Sequence, residues 1–314
     1  MCEATVILDG GLATELEAAG VHIQGDPLWS ARVLHTNPQA VRDVHYRFLQ
    51  SGADVVTTAT YQASVKGFIQ HLGLSYDQAN QLLMSGVQLA KQAVQEFMAH
   101  SPLSGKKVPM VAGSVGPYGA YLHDGSEYSG AYEEAMTVEE LKAWHRPQVQ
   151  CLVHAGVDVI AMETIPGLKE AEALVELLRE FPSSKAWLSF SCKDEQHISS
   201  GRRFAEAVRV ACRTKQLVAI GVNCCAPTLV EPLLSSACPL GSPELSWVVY
   251  PNSGEQWVQG TGWNTIKSKT SFAQLSLRWR ELGASWIGGC CRVGPADIAE
   301  LKDRLHGNLA MEAT

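Results

Sequence analysis

Apolar residues in this chain fall in short, evenly spaced runs, and polar or small residues separate them. Eight runs have the length and β-branched content of buried strands: Val6–Leu8, Val55–Thr58, Val108–Gly113, Val159–Met162, Ala186–Phe190, Val218–Val222, Trp247–Tyr250 and Trp286–Gly288. Three of them follow one local pattern, a helix end, a glycine and then the strand. It reads Gln50-Ser51-Gly52-Ala53-Asp54-Val55-Val56, His154-Ala155-Gly156-Val157-Asp158-Val159-Ile160 and Glu281-Leu282-Gly283-Ala284-Ser285-Trp286-Ile287. The glycine suits the left-handed residue that ends a helix. Between the runs the period changes to that of a helix. Gln78 to Met98 carries Leu82, Leu83, Val87, Ala90, Val94 and Phe97 on one face, and Leu168 to Leu178 follows a Pro-Gly turn. The last helix opens with Pro295 and aligns Ile298, Leu301 and Leu305. Repeated strand-helix alternation predicts an α/β protein, a single (β/α)8 barrel domain over residues 1–314. An open, doubly wound sheet is the other arrangement compatible with the count.

Composition supports one large core: 314 residues, 46% hydrophobic and 18% charged. The net charge of −7 comes from scattered acids without a basic cluster, which excludes nucleic acid as an expected partner. No apolar run approaches the roughly 18–20 residues of a membrane span. Met1-Cys2-Glu3-Ala4-Thr5 has neither a basic nor an apolar signal region, so a cytoplasmic protein is expected. Nine cysteines in that setting predict free or metal-bound thiols.

In a barrel the chemistry lies at the carboxyl ends of the strands. Read in order, those ends are Asp9-Gly10-Gly11, Thr57-Thr58, Gly113-Ser114, Glu163-Thr164, Ser191-Cys192, Asn223-Cys224, Tyr250-Pro251-Asn252 and Gly289-Cys290-Cys291. Three thiols from two strand ends, Cys224, Cys290 and Cys291, offer a zinc site with one position left open, as catalytic zinc sites have. The last strand closes against the first, which would set Asp9-Gly10-Gly11 beside Cys290 and Cys291. Glycine amides can hold a carboxylate and Glu163 an ammonium, so the site suits an α-amino acid whose side chain points at the metal.

Each residue also has a plainer role. Cys225 rivals Cys224, because neighbours on a strand face opposite ways. Asp9 can cap the helix after it, and Glu163 can serve the fold alone. Cys2, Cys151, Cys192, Cys212 and Cys238 read as small buried hydrophobes. The ten histidines show no zinc-protease spacing. Ala112-Gly113-Ser114-Val115-Gly116 lacks the first glycine of a nucleophile elbow, and Gly113, Gly116 and Gly119 do not form a dinucleotide fingerprint. The Gly/Tyr-rich stretch from Gly113 to Ala135 is long enough to be a functional loop.

From about Val6 to about Leu305 the chain resembles the homocysteine S-methyltransferase family, and within it the S-methylmethionine-dependent type. The resemblance rests on Asp9-Gly10-Gly11, Leu28-Trp29-Ser30-Ala31, Tyr61-Gln62-Ala63, the run Gly113-Ser114-Val115-Gly116-Pro117-Tyr118-Gly119 and Glu163-Thr164. It continues through Gly221-Val222-Asn223-Cys224, Tyr250-Pro251-Asn252-Ser253-Gly254 and Gly288-Gly289-Cys290-Cys291. It implies a (β/α)8 barrel with Zn2+ on Cys224, Cys290 and Cys291, and homocysteine held by Asp9, Gly10, Gly11 and Glu163. Betaine-dependent relatives carry a tyrosine after that glutamate, where this chain has Thr164, and extend beyond the last cysteines in an oligomerisation arm. The first difference leaves the resting fourth zinc ligand unassigned, and the second argues against betaine as donor and for a monomer or small homo-oligomer. S-methylmethionine is the expected donor, S-adenosylmethionine a poorer one and methionine the product. Asn223 is expected to touch substrate. Trp29, Tyr118 and Tyr121 are expected to face the donor's positive charge. Betaine remains the alternative donor. A zinc hydrolase is disfavoured because three thiolates make zinc a poor Lewis acid, and a zinc-stabilised scaffold would need a fourth protein ligand.

Overall fold

The computed structural model describes residues 5–100, 107–237, 245–258, 262–264 and 272–311. Eight parallel strands form a barrel: β1 (Val6–Ile7), β2 (Val55–Thr57), β3 (Met110–Val115), β4 (Val159–Ile165), β5 (Ala186–Phe190), β6 (Leu217–Asn223), β7 (Ser246–Tyr250) and β10 (Ala284–Ile287). The hydrogen-bonded order is β1-β10-β7-β6-β5-β4-β3-β2. A parallel bridge between Leu8 and Val55 joins β2 back to β1. The doubly wound alternative is thereby excluded. A two-stranded antiparallel ribbon, β8 (Gln256–Val258) with β9 (Gly262–Asn264), lies between β7 and the helix Phe272–Glu281.

The three glycine-strand repeats adopt the expected geometry: Gly52, Gly156 and Gly283 have φ of 98°, 75° and 96°. The aspartate of the first two repeats has a role in the ladder. Asp54 Oδ2 accepts from the Ile7 amide at 2.9 Å, and Asp158 Oδ2 from the Val111 amide at 2.7 Å. Each satisfies a backbone donor at the start of the neighbouring strand and so helps fix its register.

Only Ala186–Phe190 keeps the bounds read from the sequence; most of the other shifts are of one or two residues at an end, and those of β3 and β4 have a clear physical cause or consequence. β3 starts at Met110 and not at Val108. Pro109 has no N–H to give to a ladder, and the first such bond is Met110 N to Asp54 O at 2.9 Å. β4 runs past Met162 to Ile165, with a register shift against β5 and Thr164 at φ 61°. That bulge aims Glu163 and Thr164 from inside the strand end.

The core has two layers. Ile7, Phe48, Leu83, Leu174, Phe190 and Ile298 are among the residues that fill the space between the strands and the outer helices. Inside the barrel Leu8, Val55, Ala112, Ala161, Trp187, Ala219, Val248 and Tyr250 pack together. Alanines on three strands make room for Trp187, whose Nε1 donates to the Tyr250 hydroxyl at 2.8 Å. The barrel is therefore plugged below the site, and a ligand can enter only from the strands' carboxyl ends. No helix among the described residues is long and apolar enough to cross a membrane.

Candidate active site

A cavity of about 810 Å³ opens at the carboxyl end of the barrel. Its wall includes Asp9, Gly10, Gly11, Trp29, Glu163, Asn223, Cys224, Cys290 and Cys291, all named from the sequence. Tyr118 and Tyr121, also named there, are not among the residues that line it.

Cys224 follows β6 at φ 48°, and its amide donates to Tyr250 O at 3.3 Å. Cys290 follows β10, its amide bonded to Pro251 O at 2.8 Å. Backbone bonds between neighbouring strand ends thus bring the thiols together. The sulfurs of Cys224, Cys290 and Cys291 lie within 4.8 Å of one another. Cys224 and Cys290 are joined as a disulfide with Cα atoms 5.5 Å apart, and Cys291 is free. Burial pushes the Cys291 thiol up to about 11. Three sulfurs at one point, facing a cavity, are a donor set suited to a soft or borderline metal. The disulfide and the metal site are alternative states of the same sulfurs, since a bonded pair has no thiolate to offer. The rival Cys225 is 3% exposed, packs into the core, and has its thiol pushed up to about 12 by burial. Of the other cysteines, Cys151 is buried and Cys192 half-buried, whereas Cys212 is exposed and not the buried hydrophobe expected. Cys2 and Cys238 lie outside the described residues.

Asp9 is buried and does not cap a helix. Gly11 is the N-cap of Leu12–Ala18. The Asp9 carboxylate instead accepts from the Thr57 amide at 2.7 Å and the Thr57 hydroxyl at 2.9 Å. Burial raises its pKa to about 7, with a smaller contribution from the charge of Glu163. Gly10 and Gly11 are needed for close approach to the thiol loop. A Cβ on Gly10 would stand 2.3 Å from Val293 O, and one on Gly11 2.6 Å from Cys290 O. The Gly11 amide is bonded to Val293 O at 2.9 Å, so it is engaged within the protein and not free for a ligand carboxylate as expected.

Glu163 is 8% exposed. Its carboxyl accepts from the Ser114 hydroxyl and interacts with the Tyr250 hydroxyl. Burial outweighs both bonds and raises its pKa to about 7. Asn223 lines the cavity and also holds Thr164 of β4. Its Oδ1 accepts from the Thr164 amide and its Nδ2 donates to Thr164 Oγ1, both at 2.8 Å. A fully buried amide thus holds the left-handed Thr164, which lies directly after Glu163.

The long third loop is not irregular. It folds into the helix Tyr118–Leu122 and two 3₁₀ turns, Ser126–Tyr128 and Ala131–Glu134. Buried Glu170 anchors it, accepting from the Tyr118 amide and from His145 Nε2, each at 2.7 Å, and from the Tyr132 hydroxyl. Tyr118 packs edge-on and Tyr121 at a tilt against Trp144, with ring centroids 4.9 and 4.6 Å away. They brace the loop from behind. Among the described residues, the aromatic rings that line the cavity are those of Trp29, Tyr61, Tyr128 and Tyr250, with the imidazole of His123. Tyr61 lies within the quoted block Tyr61-Gln62-Ala63, close after the end of β2, and that position was the signal available for it.

A barrel with three converging thiols and two buried carboxyl groups defines a class of metal-assisted enzyme acting on a small polar substrate. A family model described as homocysteine S-methyltransferase matches residues 6–305, and the chain belongs to that family. The homocysteine S-methyltransferase of Escherichia coli is 44% identical over 95% of this chain and 94% of its own. A crystal structure of the Escherichia coli homocysteine methyltransferase in its metallated form superposes with a TM-score of 0.85 at 42% identity, covering 96% of this chain and 97% of that one. A Drosophila melanogaster protein named betaine-homocysteine S-methyltransferase is 42% identical over 95% of this chain and 93% of its own length. The chain is a homocysteine methyltransferase. The Drosophila relative matches over nearly its full length, so an additional arm does not separate the donor classes as expected from the sequence.

Proposed function

We propose that this enzyme transfers a methyl group from a sulfonium donor to the sulfur of homocysteine, giving methionine. S-methylmethionine is the preferred donor, and S-adenosylmethionine serves less well. Zinc is the metal, held by Cys224, Cys290 and Cys291. The observation that carries this reading is the convergence of those three sulfurs on a cavity that also presents two buried carboxyl groups, Asp9 and Glu163, and several aromatic faces.

Zinc bound to three thiolates would supply deprotonation of the homocysteine thiol while leaving its sulfur electron-rich. Glu163, once ionised, pairs with the homocysteine ammonium, and the Asp9-Gly10-Gly11 turn faces the same substrate beside Cys290. Thr164 is held by Asn223, so the strand end keeps Glu163 aimed at the cavity. The donor's positive sulfur lies against aromatic faces, of which Trp29 and Tyr61 are the nearest in character to a cation site. The homocysteine sulfur forms the new S–CH3 bond, and the donor's S–CH3 bond breaks with its electron pair returning to the donor sulfur. The donor leaves as a neutral thioether, and the thiol proton goes to solvent. Holding the two sulfurs in line is the main contribution of the protein.

We further read residues 1–314 as one homocysteine-binding domain of a cytoplasmic monomer or small homo-oligomer. Betaine is the second reading for the donor, favoured by the name of the Drosophila relative. Methionine formation from homocysteine is measured with S-methylmethionine, S-adenosylmethionine and betaine in parallel, alongside metal analysis. The sulfonium reading expects methionine from S-methylmethionine and almost none from betaine. The reverse order would transfer the enzyme to the betaine class.

A further inference from the structure

Among the described residues, four acidic side chains other than Asp9 line the cavity, and three of them are already committed. Glu163 is bonded to Ser114 and Tyr250. Asp26 pairs with Arg32 and accepts from the Leu28 amide at 2.8 Å. Glu255 pairs with Arg292. The fourth, Glu127, has a buried Oε2 without a hydrogen-bond partner among the described residues.

A lone buried carboxylate oxygen beside a cavity is costly unless a ligand completes it. Burial raises the Glu127 carboxyl above its usual range, the nearby charge of Asp124 adding a little, and a cation at Oε2 would relieve both. The position is held firmly. Glu127 sits in the 3₁₀ turn Ser126–Tyr128, and its carbonyl accepts from Ser191 Oγ at 3.1 Å. Gly119 lies against it, since a Cβ there would stand 2.5 Å from the Glu127 amide. A second unpartnered acceptor borders the same loop. Gln62 donates through Nε2 to Ala120 O at 2.9 Å, which leaves its buried Oε1 without a partner.

We propose that Glu127 binds the α-ammonium group of the methyl donor and so selects donors that are amino acids. This rests on the sulfonium reading above. An ammonium brings three N–H donors and no acceptor, which suits a carboxylate oxygen without a partner among the described residues. Donors with a carboxylate but no N–H-bearing ammonium, such as betaine (whose nitrogen is fully methylated) or dimethylsulfoniopropionate, would offer Glu127 no hydrogen-bond donor and bring a like charge near it. S-methylmethionine and S-adenosylmethionine share the required group, so Glu127 does not separate those two.

The test compares wild type with Glu127→Gln, and with Glu127→Ala as a second variant, using S-methylmethionine and dimethylsulfoniopropionate as donors. Both donors are sulfonium carboxylates, and only the first has the ammonium. In each variant the KM for S-methylmethionine is expected to rise about tenfold to a hundredfold, the range for loss of a charge-assisted bond. The KM for dimethylsulfoniopropionate should stay level or fall, and that for homocysteine should change less than about twofold. Variants whose S-methylmethionine KM matches wild type would overturn the assignment and leave the sulfonium reading intact. A rise confined to homocysteine would also overturn it, by moving Glu127 to the acceptor. A wild-type enzyme inert with S-methylmethionine would remove both readings together.

Discussion

Floor and rim of the cavity are built on different terms. At the floor, Asp9, Glu163 and Asn223 stand on strand ends, and each is bonded to another protein group: Thr57, Ser114 with Tyr250, and Thr164. At the rim, Gln62, Glu127 and Asn252 each keep a buried oxygen with no partner among the described residues. A floor already satisfied by its own bonds keeps one geometry whether or not ligand is present. A rim with unpaired acceptors is completed only by what binds there. On the proposed reading, the strands carry the fixed chemistry and the loops the choice of donor.

The strongest test of this division is at the floor. Replacing Cys224, Cys290 or Cys291 with Ala should remove the metal and reduce methionine formation to background, because every ligand of a three-sulfur site is needed. Cys225→Ala should leave the metal content unchanged, since that thiol packs into the core. Full zinc occupancy in a Cys290 or Cys291 variant would show that the ligands lie elsewhere.

Next in size is Glu163→Gln, expected to raise the homocysteine KM by about tenfold to a hundredfold, or about 1.5–3 kcal/mol, with zinc retained. A pH profile sharpens it. With its pKa raised to about 7, Glu163 is protonated in mild acid and ionised above neutrality. The ammonium contact is therefore gained as pH rises through about 7, and the wild-type homocysteine KM should fall over that range while the Gln variant's does not. Stability of the ligand-free protein should run the opposite way. The folded state keeps a proton that the unfolded chain releases near its ordinary value of 4.5, so stability from this group declines as pH climbs from there to about 7. Thermal unfolding of the ligand-free enzyme across that range measures the sign.

A smaller effect is expected at the rim. Trp29→Ala should raise the donor KM by roughly twofold to thirtyfold, from a cation–π contact of about 0.5–2 kcal/mol, and leave homocysteine nearly unaffected. Equal effects on both substrates would make Trp29 a cover for the barrel mouth and not a donor contact. The smallest changes belong to Tyr118→Phe and Tyr121→Phe. Their rings pack on Trp144 behind the loop, so both donor and acceptor KM values should stay within about twofold of wild type. A large donor effect from Tyr121→Phe would mean that the loop turns this face inward when ligand binds.

Much of the floor was legible along the chain because a barrel converts sequence position into spatial position. The residue that ends each strand must lie on one face of the barrel, so Asp9, Glu163, Cys224, Cys290 and Cys291 met where the count of strands placed them. Loop directions follow no such rule. Tyr118 and Tyr121 are turned away by Trp144 and by the bond from Tyr118 N to Glu170, partners distant in sequence, and Tyr61 and Tyr128 line the wall in their place. Nothing near Glu127 in sequence marks it as an unpaired acid.

By itself the sequence determined the strand-helix alternation, the glycine caps at Gly52, Gly156 and Gly283, and the set of thiols and carboxylates at the strand ends. Those follow from local periodicity and backbone preference, which act over a few residues. Tertiary structure alone decided that Cys224 and not Cys225 joins the other thiols, that Asp9 bonds Thr57 and caps no helix, and that Asn223 holds Thr164. It also decided which acid at the rim remained unpaired. Each of those outcomes depends on a partner from another strand or loop, brought within hydrogen-bond range only when the barrel closes.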